Sequence, residues 1–333
     1  MREGWCSTLP LRYTLASVLA RPVAFLGVLS LVACGPSEET KVFLGPIQAP
    51  SFQAPSPSPP GTPPCAEPEP PALAPLTAVP CAEPIPGELP AGLAPAPGSL
   101  LLADRGGLRT LGLDPSGCPS TPTTFTLPVS GLTGVVARAD RLWLAQAEAV
   151  QVWKEDALET SCGLAGVRSL AASGAGAWAV TGGGVRRLEV NDGVCSAGEP
   201  WSLPGAALVG AASGDDGVWI ALTQPGTCGA APAVNRYTAQ GELDEGAPVF
   251  EAARLGLCTV TAMSESQGKL MLLDGTCGRG ALVDAITGKT EGSWQTPPGQ
   301  TPVGVIPAPG GSLVGTASGA GSSALLRFVR VSF

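Results

Sequence analysis

The chain has 333 residues, with 45 Gly, 35 Pro, ten Cys, seven Trp and no His. Without an imidazole, Ser-His-Asp and Cys-His catalysis, His-ligated zinc and His-bound haem iron are excluded. Charged residues are 14% and apolar ones 44%, at a net charge of −8; this is not the composition of a disordered chain, and the few aromatics and many small residues point to tight turns and thin β structure.

At the start, Arg2, Arg12 and Arg21 precede an apolar run from Val23 to Ala33, followed by Cys34 and Gly35. The run is too short for a bilayer, which needs roughly 20 residues in a helix, but it suits the apolar core of an export signal. Leu31-Val32-Ala33-Cys34 resembles the lipobox of bacterial lipoproteins. That resemblance implies removal of residues 1–33, lipidation of Cys34 and anchoring in the cell envelope. Gly35, where inner-membrane retention usually shows Asp, implies the outer membrane in a Gram-negative cell.

Loss of residues 1–33 removes three Arg and one Glu, leaving 16 basic and 26 acidic residues. The only Lys are Lys41, Lys154, Lys269 and Lys289. Nucleic acid therefore lacks a basic footprint to bind. An acidic body gains nothing from anionic headgroups, so the expected membrane contact is the lipid anchor alone.

Nineteen of the 35 Pro fall between Pro36 and Pro97. Pro lacks an N–H and restricts the residue before it, which excludes helix and central strand. Residues 34–72 are expected to form an unfolded, extended stalk at ~3.1 Å per residue, and residues 73–333 a separate domain.

In that domain a short apolar run recurs: Leu100–Ala103, Leu142–Ala145, Ala177–Val180, Val218–Ala221, Leu270–Leu273 and Leu313–Thr316, at intervals of 42, 35, 41, 52 and 43 residues. A second column follows: Leu108–Leu111, Val150–Trp153, Val185–Leu188, Val234–Tyr237, Leu282–Ala285 and Leu325–Phe328. Gly-, Asp- and Pro-rich turns punctuate both. A unit of about 40 residues with several short strands is what a four-stranded propeller blade requires.

The repeat resembles bacterial propeller repeats of the two-component-regulator or YVTN-like kind, most clearly in residues 167–200, and carries neither the Gly-His nor the Trp-Asp signature of WD40 repeats. The expected fold is all-β: a propeller of six four-stranded blades. The 52-residue interval leaves five or seven open. The last unit ends after its third strand, so Pro71–Val79, or another segment upstream of Leu89, is expected to pair with Ala324–Val331 and close the ring.

Beyond Cys6 and Cys34, eight cysteines remain: Cys65, Cys81, Cys118, Cys162, Cys195, Cys228, Cys258 and Cys277. An even number in an exported chain predicts disulfides. A turn at Gly268 would set Cys258 opposite Cys277; Cys65–Cys81 is a further local candidate. Metal is disfavoured, because there is no CxxC pair and no His.

Other strings carry ordinary turn chemistry. Thr287-Gly-Lys-Thr290 lacks the first Gly of a phosphate-binding loop. Ser266-Gln-Gly-Lys269 lacks the companion motifs of serine β-lactamases. Asp215-Asp216 sits in an SGDDG turn. Trp143, Trp178 and Trp219 share a repeat column and are expected between blades. Arg109, Arg186, Arg187, Arg236 and Arg327 fall in the next column, outward or between blades.

The expected inner strands are Leu93–Pro95, Gly134–Ala137, Val167–Ala172, Leu208–Ala212, Cys258–Ala262 and Val303–Ile306. They contain Arg168 but no Asp, Glu, Asn or His, so a metal on the axis would lack ligands. No cofactor, metal or catalytic residue is assigned. The expectation is a lipid-anchored envelope protein whose propeller binds another envelope protein or a glycan, or acts as a scaffold. The alternative is a hydrolase or lyase acting on polysaccharide or a small molecule through loop carboxylates.

Overall fold

The structure, a computed structural model, describes residues 9–11, 29–31 and 72–333, apart from 82, 128, 139, 175, 212–216, 227–228 and 320–323. The lipobox Cys34, the stalk up to residue 71, Cys65, Cys228 and Asp215-Asp216 therefore lie outside the described residues. Residues 1–62 and 63–333 separate into two units. In the first, β1 (Leu9–Leu11) and β2 (Leu29–Leu31) form an antiparallel pair.

The second unit is a six-bladed β-propeller. Blade 1 holds β5 (Gly92–Ala96), β6 (Ser99–Asp104), β7 (Gly107–Leu113) and β8 (Pro119–Leu127). Blade 2 holds β9 (Gly134–Arg138), β10 (Arg141–Ala145), β11 (Val150–Lys154) and β12 (Ala157–Cys162). Blade 3 is built from β13 (Ser169–Ser173), β14 (Gly176–Thr181), β15 (Gly184–Asn191) and β16 (Val194–Ala197). Blade 4 comprises β17 (Ala206–Ala211), β18 (Gly217–Gly226), β19 (Gly229–Thr238) and β20 (Phe250–Glu251). Blade 5 comprises β21 (Ala262–Ser266), β22 (Lys269–Asp274), β23 (Arg279–Asp284) and β24 (Thr290–Gln295).

Blade 6 is composite. It joins β25 (Thr301–Ala308), β26 (Gly311–Ser318) and β27 (Ala324–Ser332) to β3 (Thr77–Pro80) from the start of the domain. Thr77–Pro80 pairs with Val329–Ser332, and β4 (Ile85–Gly87) pairs with Ala324–Leu326 further along the same edge. The N-terminal segment thus covers an edge that the last repeat would otherwise leave bare. Inner strands contact one another in the order β5, β9, β13, β17, β21, β25 and back to β5.

Why the second strands read as continuous apolar runs is now visible. Each is buried on both faces, so alternation disappears. In β22, Leu270 and Leu272 pack toward blade 4 while Met271 and Leu273 pack toward blade 6. In β14, Ala177 and Ala179 face blade 2 while Trp178 and Val180 face blade 4. Six apolar clusters result, one per blade interface, including the seam where Leu100, Leu102 and Leu111 meet Leu313, Leu326 and Phe328. Trp143, Trp178 and Trp219 are 0%, 1% and 1% exposed, and each is aimed at the following blade.

The 52-residue interval is spent in blade 4. The β18–β19 ladder runs from Gly217↔Thr238 to Gly226↔Gly229, past the points where β17 stops at Leu222 and β20 at Ala233. A 3₁₀ turn, Ala252–Leu255, absorbs more chain before blade 5. Between blades 3 and 4, Gly241 (φ +84°) would set a β-carbon 2.5 Å from the Trp201 ring, so glycine is needed there for both backbone and space. Trp201 in turn lies 4.6 Å, centroid to centroid, from Trp178.

Candidate functional site

The inner strands line the ring axis, and one of them is displaced from its expected position. Blade 5 begins at Ala262, so Cys258–Thr261 precede the strand and β21 carries Ser264, Glu265 and Ser266. The ladder decides this, since Met263 opposes Leu272 and Ser266 opposes Lys269 across a turn at Gln267 (φ 54°) and Gly268 (φ 73°). Two consecutive left-handed residues are those of a tight hairpin turn. The expectation of an axis without carboxylates is therefore overturned: Glu265 reaches it.

Toward the axis, side chains of some blades lie against glycines of their neighbours. Leu93 from blade 1 lies against Gly304 of blade 6, where a β-carbon would stand 2.9 Å from Leu93 Cδ1. Leu170 of blade 3 lies over Gly134 of blade 2, at 3.9 Å by the same measure. Met263 of blade 5 covers Gly210 of blade 4, with its Sδ 2.7 Å from that position. At these three contacts the odd blade supplies the longer side chain and the even blade the glycine. With Val135 and Val305, these three side chains line two cavities along the ring axis.

At the end of the ring reached by the inner-strand C-termini, the cavity is about 290 Å³. Its walls are apolar, with Pro95, Ala172 and Ile306 among them, and its polar groups are Arg138, Ser264 and Glu265. Glu265 Oε2 accepts the Trp219 indole N–H at 2.7 Å; Arg138 Nε donates to the Gly174 carbonyl at 2.9 Å. The opposite mouth is about 170 Å³ and is bordered by Thr133, Arg168, Ser169 and Thr261.

Two buried carboxylates elsewhere in the ring are bound into turns. Asp104, at the end of β6, accepts from Gly106 N and Gly107 N and pairs with Arg109 at 2.7 Å. Asp274, at the end of β22 and fully buried, accepts from the backbone N–H of Cys258, Thr259, Thr276 and Cys277 and from the Thr259 hydroxyl. Thr181 holds the same place in blade 3, accepting from Gly183 N and donating to Gly184 O. These turn caps went unread in the sequence, although a polar residue closing each apolar run (LLLAD, AWAVT, LMLLD) marks them.

Three disulfides are formed among the described cysteines. Cys258–Cys277 ties the approach to β21 to the β22–β23 turn, with Cα atoms 6.0 Å apart. Cys162–Cys195 joins the outer strands of blades 2 and 3. Cys81 bonds Cys118 rather than the neighbouring Cys65. The reason is the ring closure: Cys81 N donates to Phe328 O on β27, which delivers the thiol to the β7–β8 turn of blade 1. Cys258, Asp274 and Cys277 do cluster, but with both sulfurs in a disulfide no thiolate remains for a metal.

The remaining sequence candidates are structural. Lys269 of the Ser-x-x-Lys string is paired with Asp284 (3.3 Å) and Glu291. The Thr287-Gly-Lys-Thr290 string is the β23–β24 turn, and Asp284 caps it. The Thr287 N–H, then its hydroxyl, then Ile286 N–H and Lys269 hold the Asp284 carboxyl down to about 2. Among the arginines, Arg187 stacks 5.7 Å over Trp178 and pairs with Glu189 at 2.8 Å. Arg236 meets Asp244 at 3.2 Å and Arg186 donates to Gly198 O, while Arg327 is exposed.

No family model and no curated protein matches the sequence. The fold does have counterparts. The WD40 β-propeller domain of Doa1 is similar with a TM-score of 0.52 and 11% identity, over 76% of this chain and 97% of that one. Streptogramin B lyase is similar with a TM-score of 0.50 and 12% identity, over 77% and 98%. The extracellular domain of a putative hybrid two-component system, BT4673 from B. thetaiotaomicron, gives 0.49 and 12% over 75% and 33%. The shared feature is the propeller. At such identities it carries no activity across.

Proposed function

We propose that this is an exported envelope protein, anchored through a lipid on Cys34 and raised on the Pro-rich stalk, whose propeller is a non-catalytic binding or scaffold module. The observation that carries the reading is the apolar lining of the axis: Leu93, Val135, Leu170, Met263 and Val305 border a recess toward each end of the ring, and loops collect at those ends. Three carboxylates of the described ring are engaged: Glu265 by Trp219, Asp104 by Arg109, Asp274 by its turn. Export is supported by three disulfides, which form and persist in oxidising compartments. The anchor and its outer-membrane address rest on the lipobox resemblance.

Crosslinking in intact envelopes followed by affinity recovery tests the reading. A protein or glycan partner, recovered specifically, is the expected result. Labelling with a lipid precursor should mark wild type and spare Cys34→Ala, and equal labelling would remove the anchor. A second reading, a propeller hydrolase or lyase acting on polysaccharide or a small molecule, has one observation in its favour: Glu265 and Arg138 share an apolar recess. Turnover in a substrate screen, abolished by Glu265→Gln, would establish it and displace the first.

A further inference from the structure

The ring end reached by the inner-strand N-termini carries a recess that the binding reading does not use. It is about 340 Å³, walled by the β14–β15 turn, Thr181–Gly184, and by the blade 3 to blade 4 linker, Ser202–Ala207. That bulk suits a ligand the size of a monosaccharide. Among the described residues Arg168 is its only charged one, and the same side chain borders the axial mouth, where it is again the only charge among them.

Arg168 is exposed and has no carboxylate partner among the described residues. Arg109, Arg141, Arg187, Arg236 and Arg254 each pair with a carboxylate. Among the described residues, the Arg168 guanidinium carries no hydrogen bond or ion pair. In a chain with 27 acidic and 19 basic residues, a cation between two acid-free recesses is the feature to explain. Its backbone is fixed, since Arg168 N donates to Val180 O at 2.8 Å. Its head lies beside the triple-glycine turn: a β-carbon on Gly182 would stand 3.9 Å from Arg168 Nη2, and one on Gly183 would meet only Thr181 Oγ1, at 3.8 Å. Two glycines therefore keep the floor beside the cation clear, where larger residues would fill it.

A guanidinium presents its donors as a planar fork that matches the two oxygens of a carboxylate or phosphate. We propose that the recess beside Arg168 binds a small anionic ligand of monosaccharide size, holding its carboxylate or phosphate group in the guanidinium fork, with the body of the ligand between the Gly182-Gly183 turn and the Ser202–Ala207 linker. The site is separate from the Glu265 recess and does not require a macromolecular partner.

Titration calorimetry on the full domain with its stalk tests this, using glucuronate, glucose 6-phosphate, inorganic phosphate and glucose as probes. Saturable binding of glucuronate or glucose 6-phosphate, at least tenfold tighter than glucose, is expected; the tighter of the two names the oxyanion. Raising salt from 50 to 500 mM should weaken it severalfold, as for an exposed charge. Arg168→Ala should weaken binding at least tenfold and Arg168→Lys less. Arg168→Gln, which keeps the side-chain bulk, should match the Ala variant while melting like wild type. Binding of glucose as tight as that of the anions, undiminished binding by Arg168→Gln, or no binding of any probe overturns the proposal. Inorganic phosphate binding as tightly as the sugar anions overturns the assigned ligand size. None of these outcomes bears on partner recovery from envelopes, so the two readings fail separately.

Discussion

Blades 5 and 6 reach the same four-stranded sheet by different routes. Blade 5 is contiguous, from Ala262 to Gln295, and its disulfide links residues 19 apart. Blade 6 takes its outer strand from Thr77–Pro80, at the opposite end of the domain, and the bond beside it, Cys81–Cys118, reaches across the seam into blade 1. A contiguous blade can gain its contacts locally. The composite blade gains them only when the whole ring closes, so its stability is tied to that of the other five.

The largest expected effect comes from breaking the composite blade outright. Removal of residues 72–87 strips β3 and β4 from β27 and exposes the partners of Leu76 and Ile85. Burial of two such side chains and their ladders is worth on the order of 5 kcal/mol; since Cys81 leaves with the segment, the comparison is with the full-length domain carrying Cys81→Ser and Cys118→Ser, against which urea unfolding should show a loss of that size together with association through the bared edge. A truncated ring that stays monomeric and unfolds within about 1 kcal/mol of that reference would mean that closure is not what holds blade 6.

The disulfides sharpen the same contrast. With separations of 37 and 19 residues, loop entropy alone assigns about 4 kcal/mol to Cys81–Cys118 and about 3 to Cys258–Cys277. Paired Cys→Ser variants should follow that order. A gap well beyond 1 kcal/mol would measure the seam itself, and a reversed order would place the greater constraint in blade 5.

Within blade 5, Asp274→Ala strands four backbone donors. It should cost about 3 kcal/mol, as for a buried, charge-assisted network, and thermal melting will show whether the loss exceeds that of reducing the neighbouring disulfide. The smallest effect concerns Asp284. Its carboxyl titrates at about 2 when folded, below the ordinary value of 3.8. The stabilisation it lends is therefore complete above about pH 4 and is lost as pH falls toward 2. Asp284→Asn should flatten that acid limb of the melting profile by lowering the neutral plateau toward the acid value; an unaltered acid limb would show that the contribution lies elsewhere.

Second strands were legible in the sequence because burial on both faces writes them as unbroken apolar runs, such as Leu270–Leu273 and Ala177–Val180; third strands were legible as apolar ends around polar residues, as in Val185–Leu188. The ring closure followed from counting strands. The inner strand of blade 5 was not legible for the opposite reason: one side of it meets the recess at the axis, so Ser264, Glu265 and Ser266 resemble the start of a turn, and the weakly apolar Cys258–Ala262 was the more conspicuous string. That shift of four residues hid the axial carboxylate. The Cys81–Cys118 and Cys162–Cys195 bonds join segments brought together only by the ring, and no local spacing announces them. Arg168 was visible as the one charge on the expected inner strands; its lack of a counter-ion needed the fold.

The alternation of Leu93, Leu170 and Met263 with Gly304, Gly134 and Gly210 has a further consequence. Space around the axis is shared between neighbours: the room that one blade's glycine leaves is taken by a side chain of the next. An alanine at Gly210 or Gly304 would therefore displace Met263 or Leu93 and be felt first in the adjoining blade.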